Sequence, residues 1–404
     1  MNVHRSHRLT LLLATFLVMA AAVACVEPIV DEGGSRELTV RVVVPTVDLV
    51  TKADVPAVGA ENKMYDIRIW AFDHAETGDD DAAAVGYGSA TIASGATSQE
   101  VTVSFPNSVN KKLDNSTDDV CVDFYVLANA SSVGLTIDGI DITEQGVVRK
   151  VKRSDLLNAV IEDGKGAGFG SGENLVTAVP DGSGDKGKGL PMTAYVANTN
   201  ISSLRTGTNM TPVSVELKRA VAKIRFVFAK AGNMTANTQI TSITLVSGGT
   251  GDPMLPESTY LFPREKEMTY KAFSWENNPV ASFGNTLVDT PLRLRWDHFS
   301  ASSNAENKIA AYESFLTTEI NDGHALERVI YLRESDMGNI YARIYYSIAG
   351  VGNVVNIPIP ANAKLSRNCW WTIYAYFMSF DLGFEVTVHE DWDVYNGGAI
   401  SVSG

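Results

Sequence analysis

Apolar residues recur at every second position through most of this 404-residue chain. The pattern is clearest in residues 38–44, 65–72 and 371–377. Successive side chains of a β-strand point to opposite faces, so a strand with one buried face shows this period. Many short segments of this kind, separated by Gly, Asn and Asp, are typical of sandwiches and barrels. The sequence therefore predicts an all-β fold.

Helical periodicity is scarce by comparison. Residues 154–161 and 306–320 have apolar side chains at helical spacing, and both segments lie between predicted strands. We interpret them as short helical insertions that cover a sheet edge or an end of a sandwich. The length of the chain allows two ordinary domains. A polar stretch before Pro212 places the predicted boundary there, with domains at 53–211 and 212–388.

The first residues have the organisation of an export signal. Arg5 and Arg8 precede an apolar run, residues 9–24, that ends at Cys25. A transmembrane helix needs about 20 apolar residues, so this run is better suited to a secretory signal. The residues before Cys25 resemble a bacterial lipobox, with alanine replacing the usual leucine. The sequence predicts a signal peptide at 1–24 and lipidation of Cys25; the alternative is an ordinary signal peptide with an incidental cysteine.

The charge and the remaining cysteines exclude other classes. A net charge of −14 argues against nucleic acid as a partner, because nucleic acid attracts basic patches. After Cys25 only Cys121 and Cys369 remain, far apart in the sequence, which is too few for a disulfide framework. We expect both to be small buried residues, with a bridge between them as the alternative.

No constellation of residues points to catalysis, to a metal or to a cofactor. The sequence has no HExxH pair, no G-x-S-x-G elbow and no phosphate loop of the G-x-x-x-x-G-K-[ST] type. The aromatic residues of 370–377 could form a platform for sugars, but their alternation favours a strand that packs its core. We therefore predict a protein that is not an enzyme.

Several segments together resemble the Bacteroides-type fimbrillins, the subunits of type V pili. The resemblance extends over nearly the whole chain, and it depends on the order of the motifs more than on any one of them. The segments that carry it are residues 65–73, 124–130, 190–193, 215–224, 371–377 and 384–388. The resemblance implies two tandem β-sandwich (transthyretin-like) domains. It also implies a subunit exported to the outer membrane, and the acidic residues soon after Cys25 resemble the surface-export signal of Bacteroidetes lipoproteins.

The resemblance further implies assembly by strand exchange. In such subunits an Arg- or Lys-specific surface protease removes an early strand, and a strand of another subunit replaces it. Here residues 25–52 would be the lipidated propeptide, whose strand has the apolar row Leu38, Val40, Val42 and Val44. The predicted cut is between Lys52 and Ala53, with Lys63 as the competing site.

The donor strand would be the C-terminal tail, residues 389–404. Its apolar residues alternate with polar ones in two short pieces, which hold Trp392, Val394, Ile400 and Val402. The alternative is that these residues form the last strand of the second domain.

The predicted function is that of a structural subunit of a surface fimbria that supports adhesion or biofilm formation. Its partners would be other copies of itself or related fimbrial subunits, together with the protease and, before processing, the outer membrane. The rival hypothesis is a surface lipoprotein that binds glycans in a nutrient-uptake system, with an exposed aromatic patch and a permanent first strand.

Overall fold

The structure, a computed structural model, is mostly β-strand, which confirms the all-β prediction. It describes residues 36–44, 59–115, 117–130, 136–137, 140–141, 151–162, 175–176, 179, 188–206, 211–231, 236–247, 254–256, 258–262, 270–272, 275–277, 281–283, 294, 299, 308–334, 340–358, 366–377, 382–389 and 400–403. The strands are β1 (Arg36–Val43), β2 (Met64–Asp73), β3 (Gly86–Ala96), β4 (Ser98–Phe105), β5 (Cys121–Ala128), β6 (Thr136–Ile137), β7 (Ile140–Asp141), β8 (Val160–Glu162), β9 (Leu175–Val176), β10 (Met192–Asn200), β11 (Val213–Glu216), β12 (Lys218–Arg219), β13 (Val221–Lys230), β14 (Thr238–Ser247), β15 (Met254–Pro256), β16 (Ser258–Tyr260), β17 (Tyr270–Ala272), β18 (Trp275–Asn277), β19 (Ala281–Phe283), β20 (Leu326–Arg333), β21 (Ile340–Ile348), β22 (Val351–Pro358), β23 (Trp370–Phe377), β24 (Leu382–His389) and β25 (Ile400–Ser403). The α-helices among the described residues are α1 (Asn107–Asn115), α2 (Arg153–Leu157) and α3 (Lys308–Asn321).

The first sheet curls around its own core. Its eight strands follow the order β11-β1-β4-β3-β2-β5-β10-β12, and one apolar cluster contains buried residues from six of them: β1, β2, β4, β5, β10 and β11. Pairing is thinnest between β3 and β4, where the structure gives one residue pair, Tyr87 with Ser104. Gly88 lies beside this point, and a Cβ there would come within 2.5 Å of the Thr102 carbonyl oxygen. A side chain at Gly88 would therefore push the two strands apart.

A single stretch of chain, residues 213–219, connects the two ends of this sheet. β11 pairs in parallel with β1 at one end, and β12 pairs antiparallel with β10 at the other. The sequence placed the domain boundary at Pro212. Both strands that follow it still belong to the first sheet, so the chain leaves that sheet after Arg219.

The later strands form a sandwich of two sheets. The first has the order β25-β24-β23-β13-β20-β9, and the second has β18-β14-β21-β22 with β19 also paired to β14. Their inner faces share one apolar cluster, with Phe226 and Trp371 from one sheet and Ile243 and Ile344 from the other. The alternation seen in β23 is thus the pattern of a strand packed against a facing sheet.

A second layer of apolar contacts lies on the outer face of the first sheet. Trp70 and Tyr125 pack there with Val221 and Trp370 of the sandwich. Alternate residues of β2 therefore point to two different buried faces, whereas in many strands one of the two faces is exposed to solvent. This arrangement explains why Trp70 and Ile69, which are neighbours in sequence, are both fully buried.

α2 and α3 occur where helical segments were predicted, but α2 ends at Leu157, and Val160 and Ile161 lie in β8. α3 lies against the face formed by β13 and β23, and not at the expected sheet edge or sandwich end. α3 covers part of the sandwich, because Tyr312 and Leu316 pack on Tyr374 and Tyr376 of β23. The Tyr312 hydroxyl donates to the carbonyl of Leu294 at 2.6 Å, which ties the helix to a preceding segment. α1 was not predicted from the sequence, and it packs Val109 and Leu113 into the core of the first sheet.

Candidate functional site

Strand β1 lies in a slot of the first sheet between β4 and β11. It pairs antiparallel with β4 along its whole length and in parallel with β11 from Val40 to Val43. Beyond its end, the backbone N–H of Val44 donates to the Thr97 carbonyl and that of Leu217 donates to the Val43 carbonyl, both at 2.8 Å. β1 thus has hydrogen-bonded neighbours on both sides.

The apolar row of β1 is buried as the alternation predicted. Leu38, Val40, Val42 and Val44 are at most 1% exposed, and they pack against residues of β4 and β11 such as Val103. Burying such a side chain is worth about 1.5–3 kcal/mol, and a net hydrogen bond about 0.5–1.5 kcal/mol. Since area-based values are upper estimates, the whole strand is held by a free energy on the order of 10 kcal/mol.

The ends of β1 are fastened by polar contacts. Arg36 forms an ion pair with Asp114 of α1, and Arg41 donates through Nε to the Ser98 hydroxyl at 3.3 Å. The Arg36 and Asp114 side chains are 25% and 55% exposed. Ion pairs this open contribute little to stability, so the apolar row and the ladder hold the strand.

Most of the predicted processing and donor residues lie outside the described residues. Cys25, Lys52 and Ala53 are outside the described residues, as are Trp392 and Val394 of the tail. The competing site, Lys63, is described. β1 and β2 are joined by residues 44–63, so a cut at either lysine would sever the covalent link between β1 and the rest of the sheet.

Lys63 is held in place by its backbone. It follows a 3₁₀-helix at Ala60–Asn62, and its N–H donates to the Ala60 carbonyl. Its own carbonyl accepts a hydrogen bond from the Asn129 side chain at 3.0 Å, and β2 begins at the next residue. A protease binds exposed chain whose backbone groups are free, so this bond is poorly placed for cleavage.

Asn129 fastens the start of β2 to two other segments. Its Oδ1 accepts from the Tyr65 N–H at 2.8 Å, and its Nδ2 donates to the Leu190 carbonyl at 2.7 Å. Gly189 approaches this amide so closely that a Cβ would lie 2.4 Å from Nδ2. Sequence reasoning missed Asn129, because the role of an amide in a turn depends on segments distant in the chain.

A buried polar network joins the segment before β2 to the sandwich. Glu61 accepts hydrogen bonds from the Lys223 ammonium at 2.8 and 3.1 Å and from the Tyr331 hydroxyl. Arg219 donates to the Asn368 side chain at 3.0 Å. The Lys223 ammonium also lies 4.8 Å from the centre of the Trp370 ring, a cation–π distance. The network fixes the chain that would follow a cut at Lys52.

Acid should weaken this network through Glu61. Burial by itself would raise the pKa of Glu61, but the ion pair with Lys223 and the hydrogen bonds from Lys223 and Tyr331 outweigh it and lower the pKa below its ordinary value of 4.5. A carboxyl whose pKa is lower in the folded state stabilises the fold above its unfolded pKa, and this contribution is lost as the pH falls through the folded value.

We therefore expect Glu61→Gln to lower the free energy of unfolding most above pH 4.5. The difference in unfolding free energy between variant and wild type should become smaller as the pH falls below that value. Urea unfolding at a series of pH values measures the difference. Asp322→Asn removes a charge at an exposed position and serves as the control. A constant difference across the acid range would contradict the assigned role of Glu61.

The aromatic residues of β23 are not available to a sugar. Trp370, the most open of them, is 9% exposed, and Trp371, Tyr374, Tyr376 and Phe377 are each at most 6% exposed. They belong to the apolar clusters on the two faces of the sheet. The interpretation of this row as core is confirmed.

The side chains of His74 and Asp123 contact each other near the end of β2, and their contacts are those of a pair that stabilises the fold. Asp123 is fully buried and accepts from the Asn198 N–H at 2.9 Å, and its Oδ1 lies 2.6 Å from His74 Nδ1. Burial would raise the pKa of Asp123, but the hydrogen bonds from Asn198, His74 and Thr77 lower it. Thr77 and Asp123 both approach the same ring nitrogen of His74, so the ring cannot relay a proton between them.

The described residues hold no metal cluster, no membrane-spanning helix and no disulfide. Within them no group of three His, Cys, Asp or Glu side chains could hold a metal ion. No helix of the described part is long and apolar enough to cross a membrane. Cys121 and Cys369 are both free, and burial raises the pKa of the Cys369 thiol to about 12. Cys121 is partly exposed, which differs from the expected burial.

The described part of the C-terminal tail is a strand at a sheet edge. Ile400 and Val402 lie in β25, which pairs antiparallel with β24 at Val388 and Val386. β25 is the last strand of its sheet, so among the described strands it has one neighbour. The arrangement is the one expected if the tail completes its own domain, and four residues with a single partner are a far weaker attachment than that of β1.

Comparisons with known proteins find similar structures but no similar sequence. No protein-family model matches the chain, and no curated protein matches it significantly. The structure is similar to the tip fimbrial protein Mfa3 of Porphyromonas gingivalis, with 13% identity and a TM-score of 0.46 over 89% of this chain and 100% of that one. A fimbrial assembly protein of Parabacteroides distasonis has 12% identity and a TM-score of 0.39, covering 87% and 95%.

A protein of Bacteroides thetaiotaomicron described as polysaccharide-binding is similar as well, with 11% identity and a TM-score of 0.36 over 90% and 98% of the two chains. The class of fimbrial proteins that the sequence motifs resemble is thus found again among similar structures.

Proposed function

We propose that this protein is a structural subunit of a surface fimbria that assembles by protease-triggered strand exchange. Its strand β1 would occupy a slot that belongs to a strand of another subunit. The observation that carries the proposal is the position of β1. It fills an interior place in the first sheet with a fully buried apolar row, yet it lies at the start of the described chain and is joined to the rest through residues 44–63 alone.

Export would precede assembly. In this proposal residues 1–24 are a signal peptide, and Cys25 carries the lipid that holds the precursor at the outer membrane. Arg36 begins β1, so the anchored cysteine would lie 11 positions before the strand in the sequence. Loss of β1 by proteolysis would then release the subunit from the membrane and open its slot in one step.

The contacts of the basic residues favour Lys52 as the cut site. Arg41 lies inside β1, between two hydrogen-bonded neighbours, and cleavage at Arg36 would leave the slot filled. Lys63 has a backbone held by Asn129 and by the start of β2. Lys52 falls between β1 and this fastened segment, and a cut there would leave the Glu61 network intact.

Proteolysis is a physically sensible trigger because the strand is held so firmly. A holding free energy on the order of 10 kcal/mol keeps a competing strand out on biological timescales. After a cut the strand is no longer covalently attached, so once it dissociates it is diluted away. The open slot would then offer apolar surface and unpaired backbone groups on both sides, which favour capture of a matching strand.

The proposed donor is the tail that contains Trp392, Val394, Ile400 and Val402. To donate, it would have to leave β24, to which β25 is attached by a short antiparallel ladder. Because that ladder is short and one-sided, its loss costs much less than the loss of β1. The tail would then extend into the slot of another subunit, and repeated exchange would build a filament that supports adhesion or biofilm formation.

We expect Lys52→Ala to leave a lipid-linked monomer on intact cells and to abolish the ladder of polymers on a gel run without boiling. The physical reason is that β1 stays covalently linked and keeps the slot closed. Lys63→Ala is the matched control and should assemble normally, with a mature N-terminus at Ala53 by N-terminal sequencing. Normal assembly of the Lys52 variant together with failure of the Lys63 variant would move the cut to Lys63.

A further inference from the structure

We propose that the slot of β1 selects a strand of a different protein, one with basic residues at the positions of Arg36 and Arg41, over the tail of a second copy of this chain. The inference builds on the proposed function and concerns its partner. It is carried by the charges on the walls of the slot and by the spacing of apolar positions that the slot requires.

The walls of the slot are acidic where they face β1. Glu100 of β4 lies opposite Arg41 in the ladder, and both side chains are exposed on the outward face. Glu216 of β11 pairs with Val43, two positions further along the same face. At the other end Asp114 of α1 pairs with Arg36. Three carboxylates thus border the slot, and the strand that fills it supplies two cations, Arg36 and Arg41, and one carboxylate, Glu37, which lies opposite Ser104.

Two of the basic side chains described near the slot, those of Lys112 and Arg205, are engaged elsewhere. Lys112 of α1 is paired with Asp73 of β2. Arg205 donates to the carbonyls of Leu113 and Asp118 and so fastens α1 to the segment after β10. After β1 has left, the carboxylates of Glu100, Glu216 and Asp114 would therefore give the mouth of the slot a negative potential.

The tail of this chain has the opposite charge pattern. Residues 390–404 contain Glu390, Asp391 and Asp393 and have no lysine or arginine. Like charges placed directly across a ladder are destabilising, whereas complementary charges speed association and suppress wrong partners. The acidic tail is thus poorly suited to a slot with acidic walls.

The apolar spacing of the tail also differs from what the slot accepts. β1 fills it with four apolar side chains at consecutive alternate positions, 38, 40, 42 and 44. At alternate positions from 392 the tail reads Trp, Val, Asn, Gly, Ile and Val. No four successive positions of this series are all apolar, because Asn396 and Gly398 interrupt it. The tail would therefore leave part of the slot unfilled.

The partner that fits is a strand with apolar residues at four alternate positions. One basic residue lies between the second and the third apolar residue. A second basic residue lies two positions before the first apolar residue. A tail of the present kind would in turn suit the slot of another type of subunit. The geometry thus points to a mixed polymer, in which this protein receives its strand from a different chain.

Peptide uptake by the cleaved protein tests the inference. The purified chain is cut at Lys52 with a lysine-specific protease, and the cleaved piece that contains β1 is removed by gel filtration in mild denaturant. The N-terminus of the remaining chain is verified as Ala53. Three fluorescent peptides are offered in excess: residues 36–44, the same peptide with Arg36→Glu and Arg41→Glu, and residues 390–404. Fluorescence anisotropy follows the rate of uptake at low and at high salt.

We expect the peptide of residues 36–44 to enter at least about tenfold faster than its charge-reversed form at low salt, with the ratio shrinking at high salt. The peptide of residues 390–404 should enter slowest. In the variant Glu100→Gln with Asp114→Asn the ratio should fall towards one, because two of the wall charges are gone. The control Asp322→Asn should keep the full ratio.

Equal rates for the two forms of residues 36–44, or fastest uptake of residues 390–404, would overturn the inference while leaving strand exchange intact. Uptake of none of the peptides, with the protein still folded by circular dichroism, would contradict strand exchange itself. The two failures are therefore distinguishable in one experiment.

Discussion

Replacing Val40 with aspartate is expected to destabilise the uncut protein by at least about 4 kcal/mol. Val40 is fully buried at the middle of β1 and is paired with Val101 on one side and Val213 on the other. The change removes apolar burial worth about 1.5–3 kcal/mol and introduces a carboxylate with no partner, whose desolvation costs several kcal/mol more. Urea unfolding, followed by circular dichroism, measures the loss.

The neighbouring position supplies the control for this variant. Thr39 points to the outward face of the same strand and is partly exposed, so Thr39→Asp should change stability by less than about 0.5 kcal/mol. A loss below about 1 kcal/mol for Val40→Asp would mean that β1 is not held in the slot. Processing at Lys52 gives a further check, because the mature chain then no longer contains Val40 and the variant should match the wild type.

Replacing Arg219 with alanine should have the second large effect, a loss of about 3–5 kcal/mol of unfolding free energy from unsatisfied acceptors and a cavity. Arg219 is 1% exposed at the point where the chain leaves the first sheet. Its guanidinium donates to the side chains of Asn368 and Asn62 and, through Nε, to the Glu61 carbonyl at 3.3 Å. Alanine would leave these acceptors buried without their donor and would leave a cavity.

Arg219→Lys separates the charge of this residue from its geometry. A lysine keeps the positive charge but cannot donate in three directions from a planar group, so we expect it to recover at most about half of the lost stability. Unfolding curves of both variants in urea provide the comparison. Full recovery by lysine would show that charge alone matters there, and no loss with alanine would contradict the proposed junction.

Much of the first sheet could be predicted from the chain itself. The alternation in residues 38–44 identified both the strand and the face that it buries, and the motif at 65–73 identified β2. Both predictions depend on a local rule, the period of two along a strand, which is visible in any single segment. The aromatic row of β23 was assigned to the core by the same rule.

The period of two along a strand does not predict which other strands pair with it. Nothing in residues 213–219 indicates that they pair with β1 at one end and with β10 at the other, because pairing over such separations depends on the whole sheet. The predicted boundary at Pro212 was placed on local composition, whereas the strands of the first sheet continue to Arg219. The second buried face of β2 likewise requires the sandwich that packs against it.

The sequence by itself determined the all-β class of the fold and the apolar row of β1, since both are written in the local period of two along a strand. Only the tertiary structure decided that this strand has neighbours on both sides, that acidic residues border its slot, and that Asn129 and Glu61 hold the chain after the proposed cut. These features are contacts between residues far apart in the sequence, and their free energies exist only once the folded chain brings the residues together.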